Sequence, residues 1–372
     1  MSSWKDLDEP DFIDRDPATI TSEMVSQAET MLGKTLYPAQ PERLIVDMGA
    51  YRETVTRIAI QAAAKQNLVR YANGPILDYL GELLGVSRLA ASAAQTTIRF
   101  SLDAAQTGDI AVPSGTRVQT TDGSIVFATT TAATIAAGAV YCDAIAAAET
   151  TGAAGNGYLP GAVATLLTTL DGVTSAVNTT TSYGGLDAET DARLRERIVL
   201  APESFAAAGP SGAYRYWTMS AHQSIVDAAV LTPYPGLVAI YPLTESGSLT
   251  SEIAALVLTE VTAAKRRPIT DQVVVREPTA VEFEIVASLT LYAWADAATV
   301  RTSAATALAS YAATMRAALG LPLVPSKVIA ILQTISGVQG VVLTAPAART
   351  LAASEYAVCT STDVTISGVI DG

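Results

Sequence analysis

The chain has 372 residues, a formal net charge of −13, nearly half of its residues apolar and only 6% aromatic. That length suits roughly two to three domains, and the apolar content argues against global disorder. The acidic surplus excludes the basic face that nucleic acid or an anionic membrane surface requires, and leaves solubility or an electrostatically matched protein contact as its use.

Cys142 and Cys359 are the only cysteines, far apart and without C-x-x-C spacing. They suggest a reducing compartment during folding and no metal site. The start of the chain, Met1 to Asp6, has no apolar run of the kind a secretory leader carries, so none is expected. The charge-free stretch Ser124 to Cys142 is full of Thr, Ala and Gly, and reads as strands and turns, not as a membrane span.

In chain order, Asp16-Pro17 predicts an N-cap and a first helical residue. Ile20, Met24, Ala28 and Met31 follow at helical spacing, and Gly33 is the stop. Leu36 to Pro41, with two prolines, is expected to be extended. A longer helix is predicted over Glu42 to Gln66, with the stripe Leu44, Met48, Tyr51, Val55, Ile58 and Ala62. Its steps alternate four and three, the 3.5-residue average of a coiled-coil seam. Two readings stand here: a helix packing on its own domain, or a seam that meets a helix of another chain. A third helix is predicted from Pro75 to Gly85. Within it Asp78 reads as a residue of the helix surface.

From Gln95 to Thr181 the period becomes two. Ile98, Phe100 and Leu102 alternate with Thr97, Arg99 and Ser101. Pro113-Ser114-Gly115-Thr116 and Asp122-Gly123 are turns, the second a hairpin signal. The section is expected to be a small antiparallel β-domain. Gly152 to Gly157 could pass for a phosphate cradle, but no Lys-Ser/Thr follows and no helix start is evident, so a tight structural loop is the reading.

Next comes Gly184-Gly185-Leu186-Asp187-Ala188-Glu189-Thr190-Asp191-Ala192-Arg193-Leu194-Arg195-Glu196-Arg197-Ile198. Two glycines permit unusual backbone angles. Asp187 stands where an N-cap is expected, Glu189 and Asp191 fall near the positive helix end, and the arginines near the negative one. Glu189 and Arg193, and Asp191 and Arg195, are spaced as i,i+4 pairs. Leu194 and Ile198 form the buried side. Read physically, this is a loop turning into a capped, solvated structural helix.

Beyond it, Ser211 is expected to cap a helix carrying Tyr214, Trp217, Ala221 and, on its face, His222, the only histidine. Strands at Ile225 to Leu231 and Leu237 to Tyr241, a helix from Ser251 to Lys265 and a strand from Gln272 to Arg276 form a ββαβ unit. A second unit starts with Val281, Phe283 and Ile285 alternating with Glu282 and Glu284. Asp296 caps a helix running to about Leu319, Pro325 starts another, and strands at Gly337 to Leu343 and Val364 to Val369 close it. Together these units suggest two small α/β sandwiches, so the chain is expected to be α+β. Its four consecutive segments are residues 1–92 (helical), 93–182 (β-rich), 183–278 and 279–372 (each α+β).

The signature stretch, with Gly184, Gly185, Asp187, Arg193, Arg195 and Arg197, resembles that of the baseplate J-like family, whose members build the wedges of contractile phage tails and related injection machines. Further words are similar and in the family's order. They are two prolines before a long helix, Tyr71-Ala72-Asn73-Gly74-Pro75-Ile76-Leu77-Asp78-Tyr79-Leu80-Gly81, and Gly85-Val86-Ser87-Arg88. Then come Pro113-Ser114-Gly115-Thr116, Phe127-Ala128-Thr129, Gly152 to Asn156, Tyr234-Pro235-Gly236, and Ser336 to Val341. They span about residues 35 to 370.

The resemblance implies a structural wedge component, not an enzyme, with N-terminal helices bundled with other wedge chains and C-terminal domains linking wedges into a ring around the tail hub. Such a ring rearranges on triggering and releases sheath contraction. The implied partners are other wedge proteins, copies of the chain itself, the hub and sheath-initiating proteins, with no nucleic acid, membrane, metal or cofactor. The implied location is the virion's tail baseplate, after assembly in the host cytoplasm. Two other readings remain. One is a tail-fibre or adhesin-like module binding a receptor or glycan through aromatics of the β-domain, with Phe100, Phe127, Tyr141 and Tyr158 as its candidates. The other is a hydrolase using the Glu282/Glu284 carboxylates, against which a half-buried strand explains both residues without chemistry.

Overall fold

The computed structural model describes residues 7–205, 209–263, 266–268 and 270–371. The stretch Met1 to Asp6, read for a leader, and the helix end expected at Lys265 lie outside the described residues. The architecture is α+β: helices first, then a barrel-like antiparallel sheet, then two small sheets with helices. By its contacts the chain divides into two units, residues up to Arg88 with Thr190–Pro202, and Leu89–Glu189 with Glu203 onward. This differs from a cut into four consecutive segments: the signature helix, inside 183–278 on sequence grounds, folds with the N-terminal helices.

The first unit contains α1 (Pro17–Leu32), α2 (Pro41–Lys65), α3 (Gly74–Glu82) and α4 (Asp191–Leu200). Asp16 caps α1 by accepting from the Thr19 hydroxyl at 2.6 Å and its amide at 2.8 Å, which together hold its carboxyl below the usual range. Gly33, at φ 64°, ends the helix in the left-handed region that favours glycine. α2 turns small and polar residues inward: Ala50, Thr54 and Gln61 are its buried positions. A Cβ on Gly49 would meet the Met24 methyl at 3.2 Å, so α1 lies close there. The Gln61 amide accepts from the Phe12 N–H at 2.9 Å and donates to the Pro10 carbonyl at 2.8 Å, tying the segment before α1 to α2. Met31, expected on the inner stripe of α1, is instead exposed, because Ile20 is the buried anchor of that helix and its last turn is left uncovered.

The second unit opens with β1 (Ala93–Ser101), β2 (Ile110–Val112), β3 (Arg117–Thr120), β4 (Val126–Thr129), β5 (Ala133–Ile135), β6 (Tyr141–Thr151), β7 (Val163–Leu166) and β8 (Ser175–Asn178). Six of these form a sheet in the order β7-β3-β4-β6-β1-β8, while β2 and β5 pair as a ribbon. Asn178 draws the sheet's two ends together: its side-chain oxygen accepts from the Val163 amide at 2.9 Å, and its carbonyl from Gly161 at 3.0 Å. The alternation read in the sequence is realised, with Ile98, Phe100, Val118 and Phe127 filling the barrel.

Next come α5 (Ser211–Ala221), β9 (Ile225–Tyr234), β10 (Leu237–Thr244), α6 (Ser251–Thr262) and β11 (Gln272–Val275). They make a three-stranded sheet ordered β11-β10-β9, parallel between β10 and β11 and antiparallel between β10 and β9. Ser211 is not the cap of α5 but its first residue, after Pro210, and His222 lies past its end in extended backbone. The last part holds β12 (Thr279–Tyr292), α7 (Ala297–Arg316), α8 (Pro325–Gln333), β13 (Val338–Ala345) and β14 (Glu355–Ile370), with sheet order β13-β12-β14. Asp296 caps α7 through the Thr299 amide at 2.8 Å. The last strand begins at Glu355, nine residues before Val364, because it pairs in parallel with β12 from Thr279 to Tyr292 and that pairing carries its Ser, Thr and Asp residues into the ladder.

Candidate assembly surface and the signature clasp

Along α2, one face is spent and the other is not. The face built of Ala50, Thr54 and Gln61 is covered by the chain's own N-terminal segments. The stripe Leu44, Met48, Tyr51, Val55, Ile58 and Ala62 faces solvent, with Met48 64% and Tyr51 68% exposed. Ile45 lies beside the stripe and is equally open. The stripe therefore does not pack on its own unit. Each large apolar side chain later covered contributes about 1.5–3 kcal/mol, so a row of five on one 25-residue helix is a surface suited to association.

The signature stretch divides its work between the two units. In the second unit, Gly185 belongs to a knot with the 152–156 loop, while Gly184, at φ 84°, accepts from the Ser92 hydroxyl at 2.8 Å. A Cβ on Gly185 would run into the Gly152 carbonyl, and one on Gly155 would lie 2.8 Å from the Ala94 Cβ. Asn156 accepts from the Gly185 amide at 2.8 Å and donates to its carbonyl at 2.7 Å. Asp187 is not a helix cap. Its carboxylate accepts from the Ala153 amide at 3.0 Å and so closes the short 3₁₀ turn Ala153–Gly155. Glu189 is also outside the helix, buried, accepting from the Leu89 amide at 3.0 Å. The Gly152 to Gly157 stretch is thus a structural loop.

In the first unit the helix begins at Asp191, and Thr190 caps it through the Arg193 amide at 3.4 Å. Asp191 makes no hydrogen bond to Arg195, which acts on it only as a nearby positive charge. It accepts from the Gly74 amide at 2.9 Å and from the Arg88 guanidinium at 2.7 Å, and these two bonds hold its carboxyl below the usual range. Arg88 also reaches Asp78, Nε to Oδ1 at 2.9 Å. Burial pulls the Arg88 guanidinium down, but the two aspartates outweigh it and raise it overall. Arg195 donates to the carbonyls of Val69 at 2.8 Å and Ala72 at 2.7 Å, and Arg197, 5% exposed, to Ser87 at 3.2 Å. Leu194 and Ile198 are buried, as read, and Arg193 is half-buried. The Asp191–Arg195 pairing read in the sequence gives way to long-range bonds that fasten α4 to the turns before and after α3. Arg88, Asn156 and Thr190 escaped the sequence reading as working parts, although the Gly85-Val86-Ser87-Arg88 word, the Gly152 to Asn156 word and the signature stretch contain them.

The other candidates are placed as follows. His222 Nδ1 lies 2.8 Å from the Ser224 hydroxyl at the end of α5. Glu282 and Glu284 point outward from β12, opposite buried Val281, Phe283 and Ile285. Phe100 and Phe127 are core residues, Tyr158 packs edge-on to Phe127, and Tyr141 is exposed beneath the Arg99 guanidinium at 4.1 Å. These four do not form a shared platform.

Four profiles of one family match the chain in order: the Baseplate J-like N-terminal domain over residues 41–95, barrel domain over 97–185, central domain over 206–277 and C-terminal domain over 283–367. The chain belongs to the Baseplate J-like family. The barrel profile takes in β1 from Thr97 onward through β8, and α4 falls between the barrel and central profiles. Baseplate protein J of Escherichia phage P2 is 33% identical over 186 residues, which take in 49% of this chain and 60% of that protein. The chain thus spans less than two thirds of that relative. A chain in a cryo-EM structure of the anti-feeding prophage baseplate is similar over 93% of this chain and 90% of its own length, with TM-score 0.49 and 14% identity.

Proposed function

We propose that this baseplate J-like chain is a structural wedge component of a contractile tail and not an enzyme. It joins other wedge chains through α2, and its later domains link neighbouring wedges into a ring around the tail hub that releases sheath contraction. Its partners are other wedge proteins, further copies of itself, the hub and the sheath-initiating proteins. Its place is the tail baseplate of the virion, reached after assembly in the host cytoplasm. Membership of the family supports the setting. The single observation that carries the role is the uncovered stripe on α2, opposite the face that the chain itself occupies. The test is co-expression with the neighbouring tail genes. Val55→Asp with Ile58→Asp is expected to abolish recovery of a complex while the barrel stays folded by circular dichroism. Recovery of intact complexes from that double variant contradicts the proposal.

A further inference from the structure

The central domain, α5 to β11, and the last domain, β12 to β14, meet in a joint unlike the interior of either. Among the described residues, the apolar core of the last domain is made of residues 281–366 alone, and no helix or strand of the central domain lies along one of the last. What spans the joint is polar. Asp227 of β9, its side chain 13% exposed, accepts from the Leu319 amide at 2.9 Å through Oδ2. Its Oδ1 accepts from the Arg215 guanidinium at 2.7 Å and from the Ala228 amide at 2.8 Å, which fixes the carboxylate in place. Arg316, the last residue of α7, donates to the Ser246 carbonyl at 2.7 Å. The Tyr356 hydroxyl, on β14, donates to the Gly247 carbonyl at 3.3 Å. Gly247 stands at φ 87°, and a Cβ on it would lie 2.5 Å from that hydroxyl, so glycine is what lets the two surfaces meet.

The covalent link between the two domains is short. The Arg276 amide donates to the Ile240 carbonyl at 2.8 Å and fixes one end of the link to β10. The Thr279 amide donates to the Ser354 carbonyl at 3.0 Å and fixes the other end to the last domain. Between these anchors lie Glu277, whose carboxylate accepts from the Leu249 amide at 3.2 Å, and Pro278, which has no N–H to satisfy. Water can replace either partner of each bond across the joint, so each bond is weak on its own. A joint held in this way opens without breaking into the apolar core of the last domain, whereas a large apolar interface would keep the two domains as one body.

We infer that Glu277 and Pro278 form a pivot, and that Asp227, Arg316 and Tyr356 form a latch whose bonds open together, so that the last domain turns against the central domain while both stay folded. The use of this hinge rests on the role proposed above: a last domain that holds a neighbouring wedge keeps its hold while the rest of the chain reorients. The hinge itself is tested on the full chain alone, by amide hydrogen exchange read residue by residue. The Leu319 amide, bonded across the joint, is expected to exchange about a hundredfold faster than the Leu289 amide inside β12, because it is freed by opening of the joint and not by unfolding. Tyr356→Phe removes one oxygen that bonds Gly247 and not Leu319. Arg316→Ala removes the bond to Ser246. Each is expected to speed exchange at Leu319 by about three- to tenfold and to leave Leu289 unchanged, since a bond lost anywhere in the latch raises the open fraction. A Leu319 amide that exchanges as slowly as Leu289, or at one rate in the wild type and both variants, overturns the inference. Co-purification with tail proteins is scored separately. A chain that joins no tail partner but shows the expected exchange loses the wedge role and keeps the hinge; a chain that assembles without that exchange keeps the role and loses the hinge.

Discussion

Two long helices of this chain are built in opposite ways. α7, 20 residues, turns Val300, Ala304, Leu308, Tyr311 and Met315 onto its own sheet and leaves Thr, Ser and Ala outside. α2, 25 residues, keeps Ala50, Thr54 and Gln61 inside and shows solvent its largest apolar side chains. α7 is a finished element: the chain supplies everything its apolar face needs. α2 is finished on one side only. The difference separates residues that hold the fold from residues that await a neighbour, and substitutions on the two helices should separate in the same way.

The largest contrast is expected from charge on the α2 stripe. Val55→Asp with Ile58→Asp should remove association entirely yet shift the melting temperature of the isolated chain by little, since neither side chain packs in its own unit. On α7, Leu308→Ala should do the reverse. Removing a fully buried leucine costs about 2–5 kcal/mol, read by urea unfolding, while any chain that remains folded should still associate. A smaller effect belongs to the signature clasp. Arg88→Ala leaves Asp78 and Asp191 without the cation they share and should cost about 1–3 kcal/mol; lysine should rescue only in part, because the planar guanidinium grips Asp78 with Nε and Nη2 while Nη2 also reaches Asp191.

Asp191 also makes the clasp sensitive to acid. Its carboxyl is held below the ordinary value of 3.8, so its contribution is complete above that pH and is lost as pH falls through the lowered folded value. In Asp191→Asn, the loss of thermal stability on going from about pH 5 to about pH 3 should therefore be smaller than in the wild type. The smallest change is expected from Glu282→Gln with Glu284→Gln. Both lie on the exposed face of β12, so stability should move by under about 0.5 kcal/mol and association not at all.

What could be read from the sequence was what local chemistry decides. Asp16 and Gly33 bound α1 where the capping rules put them, and the barrel strands point Ile98 and Phe100 inward as their alternation requires. The length of α2 and the spacing of its stripe were likewise legible, because both follow from a run of residues on one helix. What escaped depends on residues far away in the chain. Asp187 has the spacing of a helix cap, but the Ala153 amide, 34 positions earlier, claims its carboxylate, and Thr190 takes over the helix. Asp191 and Arg195 have the spacing of a salt bridge, but Gly74, Arg88, Val69 and Ala72 offer better partners from more than 100 residues away. The early start of β14 follows from a parallel partner, not from its own Thr- and Ser-rich composition. In each case the residue type was right for the chemistry and the distant partner decided its use.

The most direct measurement is the mass of the complex recovered when this chain is co-expressed with its neighbouring tail genes, for the wild type and for Val55→Asp with Ile58→Asp. A stable hetero-oligomer from the wild type, absent from the double variant although that variant's chain is folded, is the result expected if α2 is the unfinished side of a wedge component. A wild-type chain that purifies as a lone monomer beside every tail partner, or a double variant that assembles as well as the wild type, contradicts it.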